Sequence, residues 1–285
     1  MSQIVISPEE TKKLQEKSLK IALFFDDFCK KHGLTWFFCG GCCIGTVRTG
    51  GFIPWDDDID GFMPREDYER LKKLWKDTPE YSIQYSTRDK WTENPFLTIC
   101  DNNTTFVKTY QKDLDINHGI MLDILPLDGC PSGLKRKTQK MWALLYSLYL
   151  VGKPPTNHGR AVNFGAKVLL GLVRSKERRY RLWTFCEKQM TKYPIKDCRK
   201  ITELCSGPGY MQNEYPKRCF DTVVRMEFEG HMMPMPGDYD TYLRMAFGDY
   251  MQLPPKDKQV CHHEYEVLDL DHSYLKYRGK KYYVQ

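Results

Sequence analysis

The chain has 285 residues, 41% of them apolar and 28% charged, enough for one large domain or two small ones with a substantial core and unlike a disordered chain. No run reaches the roughly 18 apolar residues of a membrane span, and the start "MSQIVISPEETKK" has no apolar signal core. The expectation is a cytoplasmic protein whose eleven scattered cysteines are reduced thiols. The net charge of +6 is unevenly spread: residues 131–200 hold 17 Lys or Arg against 3 Asp or Glu, a net +14, which leaves −8 for the rest. A basic middle region of this kind faces an anionic ligand, a membrane surface or nucleic acid.

In chain order, Ser7, Pro8 and Glu10 form a helix-start signal with a capping box, and Gly33 is the stop. Leu14, Ile21, Ala22, Phe25, Phe28 and Cys29 recur between them at three- and four-residue steps. "LTWFFCGG" predicts a short strand, "CCIGTVRT" a short helix and "DDIDGFM" a second strand. Pro64 then opens a helix whose Tyr68, Leu71, Leu74 and Trp75 share a face. "NPFLTIC" and "TTFVKTY" flank "DNN" and predict a hairpin. "GIMLDILPLDG" predicts a strand with a carboxylate in it, Asp123. Two long helices are expected over about 134–152 and 161–192, separated by "GKPPTNHG". A strand or hairpin at "RMEFEGHMMPMP", a helix around "DYDTYLRMAFG" and an irregular tail close the chain. The expected fold class is α+β: a mixed sheet flanked by helices over 1–130, a basic helical insert over 131–220, and a C-terminal return over 221–285 that completes the site.

Four aspartates fall within five positions: Asp56, Asp57, Asp58 and Asp60. Asp56, Asp58, Asp60 and Gly61 match positions 1, 3, 5 and 6 of a calcium-binding EF-hand loop. However, Asp67 replaces the bidentate Glu at position 12, and "RTGGFIPW" carries three breakers where an entering helix is required. The better reading is a strand on which Asp58 and Asp60 point the same way and share a cation, with the flanking Ile59 and Phe62 turned to the core. Asp123 on a neighbouring strand is the candidate third carboxylate. Gly40 and Gly41 end a strand and open a helix, where backbone can approach a phosphate. Strand, Gly-Gly, helix, strand with Asp-x-Asp, then strand with Asp is the pattern of the nucleotidyltransferase superfamily.

The stretch "GGCCIGTVRTGGFIPWDDDIDGFMPREDYERL" resembles the signature of the LicD family. Its members include phosphocholine transferases of bacterial surface glycans, such as lipopolysaccharide and teichoic acid, and it is related to the fukutin-type ribitol-phosphate transferases. "GIMLDILPLDG" is similar to the family's third motif, and residues 226–263 resemble its C-terminal region, with Glu229, Pro236, Tyr242, Leu243, Gly248, Asp249, Tyr250, Pro254 and Pro255 in the expected order. The family often has a basic residue near Gly50, so here phosphate contacts rest more on Arg48.

The resemblance implies a cytidine-diphosphate-linked alcohol as donor, phosphocholine as the group most often transferred, and CMP as product. It implies Mg²⁺ or Mn²⁺ held by Asp58, Asp60 and Asp123, with Asp123 a third ligand or the base that takes the acceptor's proton. Arg48 holds a donor phosphate or pairs with the aspartates, and Glu229 supports the metal site, contacts sugar or choline, or lies on the surface. Asp56 and Asp57 are expected to cap the loop rather than bind metal. Cys39, Cys42, Cys43, Cys261, His262 and His263 lack the paired spacing of a zinc module. The implied acceptor is a glycan or lipid-linked glycan. Residues 161–183, with Val162, Ala166, Leu169, Leu170 and Val173 ahead of Arg174, Lys176, Arg178, Arg179 and Arg181, suit a peripheral contact at the inner face of the membrane better than nucleic acid. A true nucleotidyltransferase using a nucleoside triphosphate and a non-enzymatic nucleic-acid or membrane-binding protein are the alternatives.

Overall fold

The computed structural model describes residues 6–155, 159–261 and 264–284. The Ser7 hydroxyl accepts from Glu10 N while the Glu10 carboxylate accepts from Ser7 N, so both ends of the capping box are closed at the start of α1 (Pro8–His32). Next come β1 (Phe37–Phe38), α2 (Gly40–Thr49), β2 (Ile59–Pro64) and α3 (Arg65–Leu74). They lead to β3 (Tyr81–Gln84), β4 (Leu97–Asp101), β5 (Thr105–Lys108) and β6 (Met121–Cys130). The basic region gives α4 (Gly133–Val151), α5 (Gly159–Leu172), α6 (Lys176–Met190), β7 (Lys200–Glu203) and β8 (Tyr215–Pro216). The chain closes with β9 (Val223–Phe228), β10 (His231–Pro236), α7 (Tyr239–Phe247) and β11 (Tyr265–Asp269). This is an α+β fold with a mixed sheet.

Two compact units form. The first comprises Met1–Gln84, Thr98–Leu125 and Arg218–Gln285, and the second Tyr85–Leu97 and Pro126–Lys217. In the first, the strands run in the order β1-β2-β6-β4-β3, with the leading half of β6 in the middle. Leu14, Ile21 and Phe25 of α1 are fully buried, and the Phe25 ring meets Trp36 edge-on at 4.9 Å. The Trp36 indole donates to Asp26, whose carboxylate also accepts both Arg225 terminal nitrogens at 2.9 Å. That buried acid thus ties α1 to β9. Phe37, Phe62, Phe220 and Tyr242 form a ring cluster with centroids 5.5–5.9 Å apart, which fixes α7 against β1 and β2.

The second unit has its own core of Ala143, Tyr146, Leu150, Trp183, Met190 and Leu204. Arg136 is buried there, bonded to Gln139, Thr202, Glu214 and the Met211 carbonyl, so its charge is fully partnered. The trailing half of β6 pairs with β7, and β7 with β8.

Several local expectations changed. β4 and β5 do not form a hairpin, although the turn between them is tight: Asn103 N donates to the Asp101 carboxylate and Thr104 N to its carbonyl. Both edges of β4 are already taken, by β3 and β6, so β5 pairs instead with β11 from the tail that was expected to be irregular. The expected helix over 161–192 is broken by an extended Ser175, the residue before α6, whose side chain makes no capping hydrogen bond. Leu170 and Val173, expected on one face with Val162, pack against the core of the second unit. The basic region also contains strands, and β3 was missed. Among the described residues no helix is long and apolar enough to cross a membrane.

Candidate active site

All seven candidate site residues lie in the first unit. β2 and β6 are neighbours in its sheet, which sets Asp60 and Asp123 on adjacent strands, with Asp58 just before β2. The segment that carries Asp56, Asp57 and Asp58 enters β2 from a loop, not from a helix as an EF-hand requires. Gln15 of α1 holds this loop by donating to the carbonyls of Ile53 and Asp56 at 3.2 and 2.8 Å. One carboxylate oxygen each from Asp56, Asp57 and Asp58 lies within 4.8 Å of the others, a group able to hold a cation. Two of its members are the acids expected only to cap the loop.

The electrostatics of the cluster are those of crowded anions. Burial, then Asp58 and Asp123, push the Asp60 carboxyl well above the usual range, with Lys108 acting in the opposite direction. Burial, then Asp58 and Asp57, raise Asp56 as well. Opposite them stands Lys108, the last residue of β5, with its side chain only 3% exposed. Burial works against its charge, but Asp123 first, then Tyr110, Asp58 and Asp60, hold its pKa above the ordinary lysine value. The Lys108 Nζ is 3.5 Å from Asp123 Oδ2, while Asp123 Oδ1 is buried and makes no hydrogen bond among the described residues. A polar atom in that state normally has a ligand or a water against it. The donor set consists of carboxylate oxygens, the chemistry that Mg²⁺ and Mn²⁺ prefer, so these residues fit such an ion.

The other candidates frame this cluster. A Cβ at Gly41 would overlap the Asp56 carboxylate, so with Asp56 in this position glycine is what lets α2 start so close to the acids. Gly40 N donates to the Tyr242 hydroxyl at 3.0 Å, which anchors the same helix start to α7. Arg48, in the last turn of α2, donates through Nη2 to the carbonyls of Tyr250 and Gln252, while its buried Nε makes no hydrogen bond among the described residues. Glu229 sits at the β9–β10 turn with φ +50, and its carboxylate accepts from Phe52 N at 3.0 Å, packed where a side chain on Gly51 would stand. Glu229 thus holds the leading end of the loop that delivers the aspartates, while Arg48 ties the end of α2 to the segment around Tyr250 and Gln252.

Residues 33–124 match the family described as LicD/FKTN/FKRP, nucleotidyltransferase domain. Over 267 residues the chain is 29% identical to the lipopolysaccharide cholinephosphotransferase LicD of Haemophilus influenzae, covering 88% of this chain and 95% of that protein. Residues 33–124 thus resemble the nucleotidyltransferase domain of the LicD family, and most of the chain is similar to the Haemophilus protein. The segment matched to the LicD family contains Gly40, Gly41, Arg48, Asp58, Asp60, Lys108 and Asp123.

Lys108 is the residue of this candidate site that the sequence did not announce. "TTFVKTY" shows only a lysine after an apolar strand, and its burial depends on partners far along the chain. Cys261 was also unassigned to the aspartates; its thiol donates to Asp57 at 2.9 Å. None of the eleven cysteines forms a disulfide among the described residues. Among the described residues the aspartates are the one metal-capable group, and His262 and His263 lie outside those residues.

Proposed function

We propose that the protein is a metal-dependent phosphotransferase that moves phosphocholine, or a related alcohol phosphate, from a CDP-alcohol to a hydroxyl of a cell-surface glycan precursor. The observation that carries this reading is the carboxylate group of Asp56, Asp57 and Asp58, whose oxygens lie within 4.8 Å of one another, together with Asp60 on the adjoining strand and Asp123, whose Oδ2 is 3.5 Å from the Nζ of the buried Lys108. The name of the Haemophilus relative, a lipopolysaccharide cholinephosphotransferase, supports both the transferred group and the glycan acceptor.

In the reaction the acceptor oxygen forms a bond to the phosphorus that bears the alcohol, the bond from that phosphorus to the bridging oxygen breaks, and CMP leaves with the electron pair. Asp58, Asp60 and Asp123 are the residues that would hold Mg²⁺ or Mn²⁺, which bound there offsets the negative charge of the transferring phosphoryl group. Asp123 Oδ1, the unpartnered carboxylate oxygen, either completes that ligand set or receives the proton of the acceptor hydroxyl. Gly41 keeps the first turn of α2 clear of side chains on the side of the acids, and Arg48 Nε is a free donor for a donor phosphate. Lys108 keeps a positive charge beside Asp123. Glu229 orders the loop between Gly51 and the aspartates, and Gly40 locks the start of α2 through Tyr242.

The partners in this reading are the CDP-alcohol and a glycan or lipid-linked glycan, with no nucleic acid. The enzyme works in the cytoplasm and meets its acceptor at the inner face of the membrane through residues 161–183. Incubation with Mg²⁺ and a panel of CDP-alcohols tests the activity. Release of CMP from one of them supports the reading; release of pyrophosphate from a nucleoside triphosphate, with every CDP-alcohol left intact, replaces it with a nucleotidyltransferase.

A further inference from the structure

α5 is an unusual surface helix, because Ala166 is its one buried residue. Phe164, Val168 and Leu172 are 70%, 46% and 73% exposed. Their spacing of four places them in one stripe along the helix, on the side opposite Ala166 and Leu170. Arg160 and Lys167 flank the stripe, and exposed Arg174 and Arg178 follow the helix end. None of these four cations makes an ion pair or hydrogen bond among the described residues. Neighbouring basic residues are already engaged: Arg179 stacks on Trp91 at 4.2 Å, and Arg181 pairs with Glu177 at 3.0 Å. On the other side of the helix, Val162 and Leu169 line an apolar cleft of about 580 Å³ with Leu144, Leu148 and Val151.

Three large apolar side chains in water are expensive, and four unpaired cations beside them repel one another. Both costs disappear against a surface that is apolar inside and negatively charged outside. We infer that α5, the turn after it and the first turn of α6 form a docking surface for an anionic lipid bilayer, with Phe164, Val168 and Leu172 inserted below the headgroups and Arg160, Lys167, Arg174 and Arg178 on the phosphates. This deepens the peripheral contact proposed above and rests on that reading only for what it brings the enzyme to. It also differs from the sequence expectation in the residues it uses, since Leu170 and Val173 face inward and Arg179 and Arg181 are engaged.

Flotation of the full chain with vesicles tests this without any turnover, so its failure leaves the phosphotransfer reading standing, and failure of CMP release leaves the docking surface standing. The wild type should float with equimolar phosphatidylcholine and phosphatidylglycerol, stay behind with phosphatidylcholine alone, and be released by high salt. Phe164→Ser with Leu172→Ser removes only exposed side chains and should lower the bound fraction at least about tenfold, with the circular dichroism spectrum unchanged. Replacing the four cations by Gln should weaken binding about fivefold for each one. The proposal is overturned by a wild type that stays unbound on anionic vesicles at low salt, or by either variant floating as the wild type does. Self-association without vesicles that Phe164→Ser and Leu172→Ser abolish would also overturn it, and would make the stripe an interface with a second copy.

Discussion

The aspartate cluster and α5 treat charge in opposite ways. Around Asp58, Asp60 and Asp123 the neighbouring groups are tied down: Gln15 on the loop carbonyls, Glu229 on Phe52 N, Tyr242 on Gly40 N, and Lys108 beside Asp123. The carboxylates inside that frame are held closer than their mutual repulsion favours, which makes sense for a site completed by a cation. The outer side of α5 has no such frame: Phe164, Val168 and Leu172 are exposed there, and Arg160 and Lys167 make no ion pair or hydrogen bond among the described residues. Local frustration therefore has two readings, distinguished by the surroundings. Anions held rigidly indicate a small ligand, and an unsupported amphipathic stripe indicates an extended surface.

The largest expected effect sharpens the first half of that contrast. Asp58→Asn or Asp60→Asn should lower turnover by about three orders of magnitude, the loss expected when charge stabilisation of a transferring group is removed. Because burial and its neighbours hold the Asp60 carboxyl high, its ionised form opposes folding, an effect absent below the ordinary carboxylate pKa and growing as pH rises. Asp60→Asn should therefore melt at a higher temperature than the metal-free wild type at pH 8, in a scan by differential calorimetry. A variant that is both active and less stable would break the comparison.

Lys108→Met comes next. It leaves Asp123 buried beside other anions without its counter-charge, and removing one partner of a buried pair costs about 3–5 kcal/mol. Urea unfolding reads that loss directly, and Lys108→Arg should recover part of it. An unchanged midpoint for Lys108→Met would mean that the lysine is not needed to hold the cluster together.

In the second unit, Glu203 is a buried acid with an internal solution. It accepts from Cys205 N and Ser206 N, yet burial outweighs these bonds and pushes its carboxyl from 4.5 up to about 7. A raised acid supports folding below its unfolded pKa and loses that support as pH climbs through 7. Glu203→Gln should then be the more stable protein at pH 8, by up to ~3 kcal/mol at about 1.4 kcal/mol per unit. The gap should close by pH 4.5. Parallel urea curves at the two pH values check it; a gap that persists in acid would assign the effect to packing instead.

The smallest effect concerns Arg48. Losing its bonds to Tyr250 and Gln252 should lower stability by about 1–2 kcal/mol. If Nε also meets a donor phosphate, Arg48→Gln should raise the donor KM about tenfold while kcat changes less. Steady-state kinetics against donor concentration separates the clamp from the phosphate contact.

Much of the site could be read in the sequence because its signals are local. Asp58 and Asp60 sit two residues apart at the start of a strand, Gly40 and Gly41 stand at a helix start, and Asp123 is an acid inside an apolar run. The capping box of α1 was legible for the same reason, and so was extended structure at "RMEFEGHMMPMP", which forms the β9–β10 hairpin. What escaped was decided by distant pairing. β5 has the pattern of a hairpin partner for β4, but β4 has no free edge, so β5 joins β11 and carries Lys108 to the acids. The break at Ser175 has no Pro, and Gly171 ahead of it still lies inside α5, so the true outward stripe of α5 appears only once Leu170 and Val173 are seen to pack inward.

The central claim is that the aspartate cluster performs a cation-dependent phosphotransfer. Its most direct test is the rate of CMP release from CDP-choline, with a glycan acceptor, across a Mg²⁺ titration in wild type and Asp60→Asn. The account predicts a rate that rises from near zero in chelator to saturation in the wild type and stays about a thousandfold lower in the variant at every Mg²⁺ concentration. CMP release that proceeds equally fast in chelator, or in Asp60→Asn, would contradict it.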